Sequence, residues 1–247
     1  DDKNFLVKFK FGEFIFPVTT LRPETIFGVT NLWVNPNVTY KKVSVDNETW
    51  IVSEECVKKI EFFEKEVKII GDIEGSEIIG KYATVLHNNQ EIPILEAEFV
   101  EPGMGTGLVM SVPAHAPKDY QALMDLKAKN HELASKIEPI PIIVTPGYDA
   151  YPGKQICEKL GVSNQTDEKL EEATKELYLK EFTDGKLNEK CEQFNNEKVQ
   201  YGRDKVRAWL QENNHLEKFP VLENSPVHCR CGAECVVKIL NNQWFLN

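Results

Sequence analysis

The segment that decides the fold runs from residue 19 to residue 36 and reads Thr19-Thr20-Leu21-Arg22-Pro23-Glu24-Thr25-Ile26-Phe27-Gly28-Val29-Thr30-Asn31-Leu32-Trp33-Val34-Asn35-Pro36. It places four threonine hydroxyls and one guanidinium around a proline turn, directly after an apolar strand. Hydroxyls bind polar groups without adding charge, and arginine adds a rigid fork of donors. The segment therefore favours the surface of a cleft for a small polar ligand. The alternative is a threonine-rich strand end followed by a proline turn and the start of a helix.

The composition is that of a folded protein. Of the 247 residues, 41% are hydrophobic and 28% are charged, so we expect a packed core in one large domain or two small ones. No apolar run is long enough to cross a membrane, and the first residues do not resemble a signal peptide. The six cysteines are therefore expected to be free thiols in a cytoplasmic protein.

The formal net charge of -10 restricts the possible partners. A domain that grips duplex nucleic acid over many phosphates usually carries a basic face. An acidic chain can still admit a short single-stranded end into a local basic cleft. We therefore exclude a strong stand-alone binder of nucleic acid.

Short segments rich in β-branched and aromatic residues dominate the chain up to about residue 145. Glycine, proline and asparagine separate them, and several alternate apolar with polar residues, as half-buried antiparallel strands do. The predicted strands are Phe5–Phe9, Glu13–Val18, Val67–Ile70, Tyr82–His87, Ile92–Val100, Gly107–Val112 and Ile140–Thr145. Many short strands favour a closed or nearly closed barrel. We therefore predict an α+β fold with a β-barrel-like core, peripheral helices and a helical appendage.

Two helices are predicted within this β region. Ser53 is a candidate N-cap, and Pro117 is a candidate first residue of a helix that reaches about Lys129. After residue 150 the composition changes, and apolar residues recur at helical spacing in Thr166–Phe182 and Arg203–Leu210.

We expect residues 1–247 to form one domain with three parts. Residues 1–150 are the mainly β core, and residues 151–222 are the helical appendage. Residues 223–247 are a return segment, in which Val236–Leu246 has the composition of a strand.

A second notable segment, residues 103–120, combines a glycine loop, an apolar strand, a proline-framed turn and a helix start. Glycine lets the backbone approach a ligand closely. Asp119 falls in the first turn of the predicted helix, where the dipole favours an ionised carboxylate suited to hold a substrate ammonium. The alternative is an aspartate that only stabilises the helix start. His115 can exchange a hydrogen bond with a substrate hydroxyl, or it can be structural.

One cluster near the C-terminal end has residues of the types that bind zinc: His228, Cys229, Cys231 and Cys235. The spacing is poor, because Cys229 and Cys231 are separated by one residue and no Cys-x₂-Cys pair exists. We therefore favour free thiols near a turn and predict no metal. The chain also lacks a serine nucleophile elbow, a phosphate-binding loop and a His-Glu-x-x-His motif, so hydrolysis here needs a positioned water.

Together, the blocks Thr19–Pro36 and Gly105–Tyr120 resemble the editing domains of class I aminoacyl-tRNA synthetases for aliphatic amino acids. They are most similar to the threonine-rich region and the second editing motif of leucyl-tRNA synthetases of the archaeal and eukaryotic cytosolic type. The similarity extends to Pro139–Gly147, Leu177–Phe182 and Cys235–Asn247. The chain lacks the two signature motifs of the synthetic site, so the resemblance implies an insertion domain that cannot itself activate an amino acid.

The resemblance implies a reaction. This reaction is hydrolysis of the ester between a wrong amino acid (norvaline, isoleucine or methionine) and the 3′ adenosine of tRNA(Leu), with leucine refused. One missing methylene separates aliphatic substrates by only ~1–3 kcal/mol, so editing acts as a second sieve. The implied partners are the charged 3′ end of tRNA(Leu) and the catalytic domain of the parent synthetase. No cofactor and no membrane are implied.

The resemblance also implies roles for five residues of these blocks. Asp119 anchors the α-ammonium group of the substrate, and Thr25 obstructs the leucine side chain. Thr19 and Thr20 lie near the scissile carbonyl, where hydroxyl and backbone donors can steady the developing oxyanion. Arg22 orients the substrate or a nearby phosphate.

The terminal adenine and the substrate hydroxyls have candidate partners in the second block. Met110 and Val112 match positions that pack on the adenine, and His115 is a further candidate substrate-binding residue. Ala116 stands where bacterial members carry a second acid, so a separate general base is not evident.

Two alternatives to this assignment stay open. The first is a valyl- or isoleucyl-type editing domain, which shares the Thr-Arg-Pro chemistry. Leu21 is an extra residue that argues for the leucyl type, although it leaves the register of Thr19 and Thr20 open. The second alternative is a non-catalytic module that only binds tRNA ends.

Overall fold

The computed structural model describes residues 4–61, 65–219, 229–232 and 235. The strands within these residues are β1 (Phe5–Phe11), β2 (Phe14–Thr20), β3 (Asn31–Val34), β4 (Thr39–Val45), β5 (Glu48–Val52), β6 (Val67–Glu74), β7 (Tyr82–Val85), β8 (Glu91–Glu96), β9 (Leu108–Ser111), β10 (Ile143–Val144), β11 (Lys186–Leu187) and β12 (Leu216–Lys218).

The helices of the same residues are α1 (Glu54–Ile60), α2 (Gly75–Ile78), α3 (Pro117–Ala128), α4 (Glu132–Ser135), α5 (Pro152–Leu160), α6 (Lys169–Asp184) and α7 (Val199–Glu212), with 3-10 helices at Pro23–Gly28 and Glu189–Phe194. Two predicted helix starts are confirmed. The Ser53 hydroxyl caps α1 by accepting a hydrogen bond from the Cys56 amide at 3.2 Å, and Pro117 is the first residue of α3. A serine oxygen satisfies an otherwise unpaired amide, and a proline at this position has none to satisfy.

Ten strands of the described residues form one mixed sheet in the order β6-β4-β5-β2-β1-β7-β8-β3-β9, with β12 also paired to β1. β2 runs parallel to β5, and β3 runs parallel to β8. No pairing in the described residues joins β6 to β9, the two ends of this order, so the barrel-like closure is not confirmed. The fold is a mixed α/β domain with a large mixed sheet. We call residues 19–36 the first motif and residues 103–120 the second motif. β9 lies beside β2, which brings the end of β2 in the first motif close to the second motif.

Several strands differ from the sequence prediction for identifiable reasons. β3 was not predicted because all four of its residues are buried, which removes the alternation of apolar and polar residues. β4 escaped prediction because its buried side chains lie on both faces of the sheet. Tyr40 packs in one apolar cluster and Val43 and Val45 in another, so the buried residues do not keep a period of two. After Arg22 the chain forms the short 3-10 helix Pro23–Gly28 and then enters a strand.

The two faces of the sheet are covered by different helices. Adjacent residues of a strand point to opposite faces, and Leu32 and Trp33 of β3 accordingly belong to different apolar clusters. Leu32 belongs to the larger of these two clusters, called the main cluster below, together with Val206 of α7. Trp33 instead packs with Leu123 of α3 in the other cluster. The helix that carries Asp119 is therefore packed against the strand that follows the first motif.

The helices after residue 150 return the chain to the sheet. α6 lies against α3, α5 and α7, and β12 pairs with the first residues of β1. Phe5 lies opposite Lys218, and the Phe219 amide donates to the Asn4 carbonyl oxygen at 3.0 Å. Within the described residues, none of the helices has the length and apolar character that crossing a bilayer requires.

The division into residues 1–150, 151–222 and 223–247 stays a prediction. Residues 220–228 and 236–247 lie outside the described residues, and so does the predicted strand Val236–Leu246.

Candidate active site

The two motifs meet in the fold. β3 pairs antiparallel with β9, with Asn31 opposite Ser111. The indole Nε1 of Trp33 donates to Oδ1 of Asp119 at 3.0 Å, and the Thr106 amide donates to the Thr19 hydroxyl oxygen at 3.1 Å. Backbone pairing and side-chain hydrogen bonds thus join segments that lie about 90 residues apart in the sequence.

Local hydrogen bonds fix the first motif where β2 turns into the 3-10 helix. The Thr20 hydroxyl oxygen accepts from the Arg22 amide at 3.0 Å. The Arg22 carbonyl oxygen accepts from both the Thr25 hydroxyl at 2.7 Å and the Thr25 amide at 3.0 Å. Thr25 is buried, and its hydroxyl is committed to the backbone. The Thr25 side chain therefore has one defined orientation.

A glycine loop from the second motif lies against Thr19. Gly105 has a φ of +58°, in the left-handed region that favours glycine, and a Cβ atom at this position would collide with the Thr19 side chain. The close approach puts the amide of Thr106 within reach of the Thr19 hydroxyl. Glycine is needed here for a specific contact between the two motifs.

Asp119 lies in the first turn of α3, as predicted, with both carboxylate oxygens bonded. Oδ1 accepts from the Trp33 indole, and Oδ2 accepts from the Val112 amide at 2.9 Å. Burial raises the pKa of Asp119 to about 7, even though these two bonds and Lys118 oppose the shift. The burial of Asp119 therefore opposes the ionised carboxylate that its position in the helix predicts: desolvation outweighs the helix terminus and favours the neutral acid.

Arg22 is tied into the interior of the protein. Its Nη2 donates to Glu181 Oε2 at 2.7 Å and its Nε to Glu24 Oε1 at 3.1 Å, while its guanidinium lies 4.4 Å from the ring centre of Tyr178. Burial alone would lower the pKa of Arg22, but the charges of Glu181 and Glu24 raise it. Arg22 is therefore a permanently charged group held by partners from helix α6 and from its own turn.

The two carboxylates beside Arg22 are in different electrostatic situations. Burial raises the pKa of Glu24 more than Arg22 lowers it, and among the described residues Glu24 Oε2 is buried without a hydrogen-bond partner. For Glu181, burial is outweighed by Arg22 and His115, so its pKa lies below the usual value. Glu181 is therefore the ionised partner of Arg22, and Glu24 tends toward the neutral acid.

His115 is completely buried, and both of its ring nitrogens are bonded within the domain. Nδ1 lies 2.6 Å from Glu181 Oε1, and Nε2 accepts from the Ile142 amide at 2.9 Å and the Ile143 amide at 3.2 Å. Because Nε2 accepts, the ring proton resides on Nδ1 and is donated to Glu181. This geometry favours the structural alternative for the His115 ring.

Met110 lies in β9 and Val112 directly after it, and each of these two residues is 6% exposed within the main cluster.

Sequence reasoning missed three residues that contact the candidate site: Trp33, Tyr178 and Glu181. Trp33 carried a usable signal, because a buried indole N–H needs an acceptor. Tyr178 and Glu181 gave no such signal, since their partners come from distant segments.

The cysteine cluster departs from the expectation of free thiols. Cys229 and Cys231 form a disulfide, with their Cα atoms 5.4 Å apart, which lies within the usual range. Cys235 is a free thiol, and His228 lies outside the described residues. In the part of the chain that the structure describes, no group of three or more His, Cys, Asp or Glu side chains could hold a metal ion.

The sequence resembles one protein family along most of its length. A family model described as "Leucyl-tRNA synthetase, editing domain" matches residues 4–140. The leucine–tRNA ligase of Methanococcus maripaludis is 41% identical over 259 residues, which cover 98% of this chain and 27% of that protein. The corresponding enzyme of Methanothrix thermoacetophila is 45% identical over 247 residues, with 98% and 26% covered. This chain thus spans about a quarter of the length of these relatives.

Solved structures share the fold. A crystal structure of GlLeuRS-CP1 has a TM-score of 0.77 at 23% identity and covers 89% of this chain and 100% of its own. The editing domain of the cytosolic leucyl-tRNA synthetase from P. knowlesi has a TM-score of 0.77 at 19% identity, with 87% and 96% covered. The motif junction, the family model and the archaeal relatives agree, and the chain belongs to the editing-domain family of leucyl-tRNA synthetases.

Proposed function

We propose that this chain is a hydrolase that cleaves the ester between a non-cognate aliphatic amino acid and the 3′ end of tRNA(Leu). The observation that carries the proposal is the junction of the two motifs, where β3 pairs with β9 and Trp33 bonds to Asp119. Together with family membership, this junction supports one site built from both segments. Norvaline, isoleucine and methionine are the proposed substrates, and leucine is refused.

Asp119 is proposed to bind the α-ammonium group of the substrate. A neighbouring cation favours the ionised form of a carboxylate, so the ammonium counteracts the raised pKa of Asp119. The bonds from Trp33 and Val112 hold the carboxylate in one orientation. Asp119 thereby fixes the amino-acid end of the substrate.

Thr25 is proposed as the steric filter against leucine. Its hydroxyl is bonded to the Arg22 carbonyl oxygen, so its methyl group is held in one rotamer. A methyl group that cannot rotate away keeps the leucine side chain out of the space that it occupies. This exclusion supplies the discrimination that a difference of one methylene cannot supply by binding alone.

Thr19 and Thr20 are proposed to support the reacting carbonyl. Each hydroxyl oxygen accepts a backbone amide, and each hydroxyl hydrogen can then be donated to the developing oxyanion. The proposed nucleophile is a water held by these hydroxyls, by the backbone and by the ribose of the substrate. Deacylation rates of Thr19→Ala and Thr20→Ala, measured separately, show how much each hydroxyl contributes.

The remaining candidates have a supporting part in the proposal. Arg22 and His115 shape the site from within, because the Arg22 guanidinium and the His115 ring are bonded inside the protein. This role replaces direct orientation of a phosphate or a substrate hydroxyl. Met110 and Val112 stay the proposed packing positions for the terminal adenine.

The proposed partners follow from the length of the relatives. They are about four times longer than this chain, so the catalytic domain of a parent synthetase is the proposed covalent neighbour. The charged 3′ end of tRNA(Leu) is the proposed substrate partner, and the cytoplasm is the proposed location. No cofactor and no membrane take part in this proposal.

The direct test is deacylation of Ile-tRNA(Leu) by the purified chain. We expect Asp119→Ala to lower the deacylation rate at least ~100-fold, equivalent to ~2.7 kcal/mol of transition-state stabilisation. The variant leaves the Trp33 and Val112 donors unpaired, so circular dichroism at the assay temperature must show that it is folded. Asp125→Ala, on the same helix, is the matched control and should stay active.

Two outcomes contradict the proposal in different ways. If wild-type chain binds tRNA ends but leaves Ile-tRNA(Leu) intact at high protein concentration, the domain is a non-catalytic binding module. If Thr-tRNA(Val) or Val-tRNA(Ile) is hydrolysed faster than Ile-tRNA(Leu), the specificity is of the valyl or isoleucyl type. Family membership favours tRNA(Leu) over both.

A further inference from the structure

One carboxylate from helix α6 connects the two motifs in the interior. Glu181 Oε2 accepts from Arg22 Nη2 at 2.7 Å, and Glu181 Oε1 accepts from His115 Nδ1 at 2.6 Å. The Glu181 side chain is 0% exposed, and these two partners replace water as hydrogen-bond donors to its carboxylate. Arg22 belongs to the first motif and His115 to the second, although 93 residues separate them.

The first branch of this connection leads to Thr25. The carbonyl oxygen of Arg22 accepts both the hydroxyl and the amide of Thr25, so the position of Arg22 determines the position of the Thr25 side chain. Helix α6 holds the Arg22 guanidinium through the Glu181 carboxylate and the ring face of Tyr178. A movement of the guanidinium is therefore transmitted to Thr25 over a single residue of backbone.

The second branch leads toward Asp119. His115 lies in the turn that precedes α3, four residues before Asp119, and its Nε2 is also fixed by the Ile142 amide. The same carboxylate therefore holds the turn that starts the helix of Asp119. A Glu181 side chain can make both bonds only while Arg22 and His115 keep their present separation.

We propose that Glu181 is a positioning residue for amino-acid discrimination, which sets the Thr25 filter relative to the Asp119 anchor by bonding Arg22 and His115 at once. This inference rests on the proposed function of the same site. Glu181 does not touch the substrate in this arrangement. Its effect is on the distance between the group that binds the ammonium and the group that excludes the leucine side chain.

The charge balance of the interior explains why the residue must be an acid. Arg22 is always protonated, and a buried cation needs an ionised partner. Of the two carboxylates beside it, only Glu181 bonds to both motifs. A glutamine at this position keeps the length of the side chain but loses the charge. Its amide oxygen can accept from one of the two groups, but its NH2 then faces the other group, which is itself a donor.

The test compares Glu181→Gln with Glu176→Gln on the same helix. Glu176 is partly exposed and bonds to Lys159 and Tyr148, away from both motifs. The measured quantity is the ratio of kcat/KM for Ile-tRNA(Leu) to kcat/KM for Leu-tRNA(Leu). We expect Glu181→Gln to lower this ratio about 10-fold, the order of magnitude by which contacts with a small apolar group discriminate, and Glu176→Gln to leave it unchanged.

A second variant covers the case in which Glu181→Gln does not fold. Glu181→Asp keeps the buried charge but is one methylene too short to reach both partners, and it should lower the ratio in the same direction. If a folded Glu181 variant lowers both rates equally and leaves the ratio unchanged, the residue is only structural and this inference is wrong. If wild-type chain fails to hydrolyse Ile-tRNA(Leu), the proposed function is overturned instead.

Discussion

Asp119 illustrates how burial and hydrogen bonding compete at a single side chain. Two donors and a helix start favour its charged form, but removal from water favours the neutral acid and prevails. The helix position alone predicts an ionised group because it gives no measure of how deep the carboxylate lies. A binding partner with a positive charge restores the ionised form, so occupancy of the site and protonation of Asp119 are coupled.

This coupling predicts a pH dependence. For the free protein, kcat/KM for Ile-tRNA(Leu) should rise with pH through about 7, because the ammonium binds the deprotonated carboxylate, which predominates above the pKa of about 7. It should fall again above about pH 8, where the α-ammonium of the substrate loses its own proton. Initial deacylation rates from pH 5.5 to 8.5, corrected for spontaneous ester hydrolysis, measure it. Rates that do not change between pH 5.5 and pH 7, as an aspartate with its ordinary pKa of about 4 would give, would contradict the assignment.

Thr25 gives a second prediction for a single residue. Thr25→Ala removes the methyl group and the bond to the Arg22 carbonyl oxygen. Hydrolysis of Leu-tRNA(Leu) should therefore increase by ~10–100-fold, as expected for the loss of a one-carbon barrier. Thr30→Ala, in the same segment, is the control. A Thr25→Ala variant that still spares Leu-tRNA(Leu) shows that the filter lies elsewhere.

At the level of elements, the glycine loop before β9 holds the two motifs in register. Gly105 and Gly103 lie in the same loop but differ in their surroundings. Gly105 has a left-handed φ and lies against Thr19, whereas a Cβ atom on Gly103 meets no atom of the residues that the structure describes within 4 Å. Position 105 therefore requires glycine, whereas position 103 in the same loop has space for a Cβ atom.

We predict that Gly105→Ala displaces the Thr19 hydroxyl and lowers deacylation of Ile-tRNA(Leu) ~10-fold or more, while Gly103→Ala has little effect. The strained φ of Gly105→Ala should also cost ~1 kcal/mol or more of unfolding free energy. Urea titrations and initial rates for both variants measure these effects. Equal behaviour of the two variants would show that the loop does not position Thr19.

The elements also show what the sequence could and could not predict. The Ser53 cap and the start of α3 at Pro117 depend on local chemistry and were predictable. β3 and β4 were not, because β3 is completely buried and the buried residues of β4 lie on both faces of the sheet, so neither strand shows the period-two pattern. Each of the two motifs could be recognised from its own stretch of sequence. The bonds of Glu181 to both motifs could not be predicted, because they depend on how α6 packs against distant segments.

In the whole molecule, the helices after residue 150 are closely joined to the sheet. Val206 of α7 is buried in the main cluster, and β12 continues the pairing of β1. The buried Lys8 of β1 forms ion pairs with Glu48 of β5 and Glu217 of β12. Apolar packing and paired charges thus connect parts of the chain that the sequence separates.

These connections predict a single cooperative unfolding transition for the whole chain. Far-ultraviolet circular dichroism, dominated by the helices, and tryptophan fluorescence, which includes the buried Trp33 and Trp50 of the sheet, should give coincident urea curves. Two separated transitions would show that the helices after residue 150 fold independently. Lys8→Met, which leaves the Glu48 and Glu217 carboxylates without this cation, should lower the common midpoint.

The meeting of Asn4 and Phe219 has a practical consequence for protein engineering. Their backbones are joined by a hydrogen bond of 3.0 Å, so residues 4 and 219 are neighbours in space although they lie far apart in the sequence. A surface loop of an unrelated carrier needs only a small gap to accept both ends. We expect residues 4–219 to fold as an insert in such a loop with short glycine-serine spacers at each junction, which expression of the fusion with and without residues 220–247 tests.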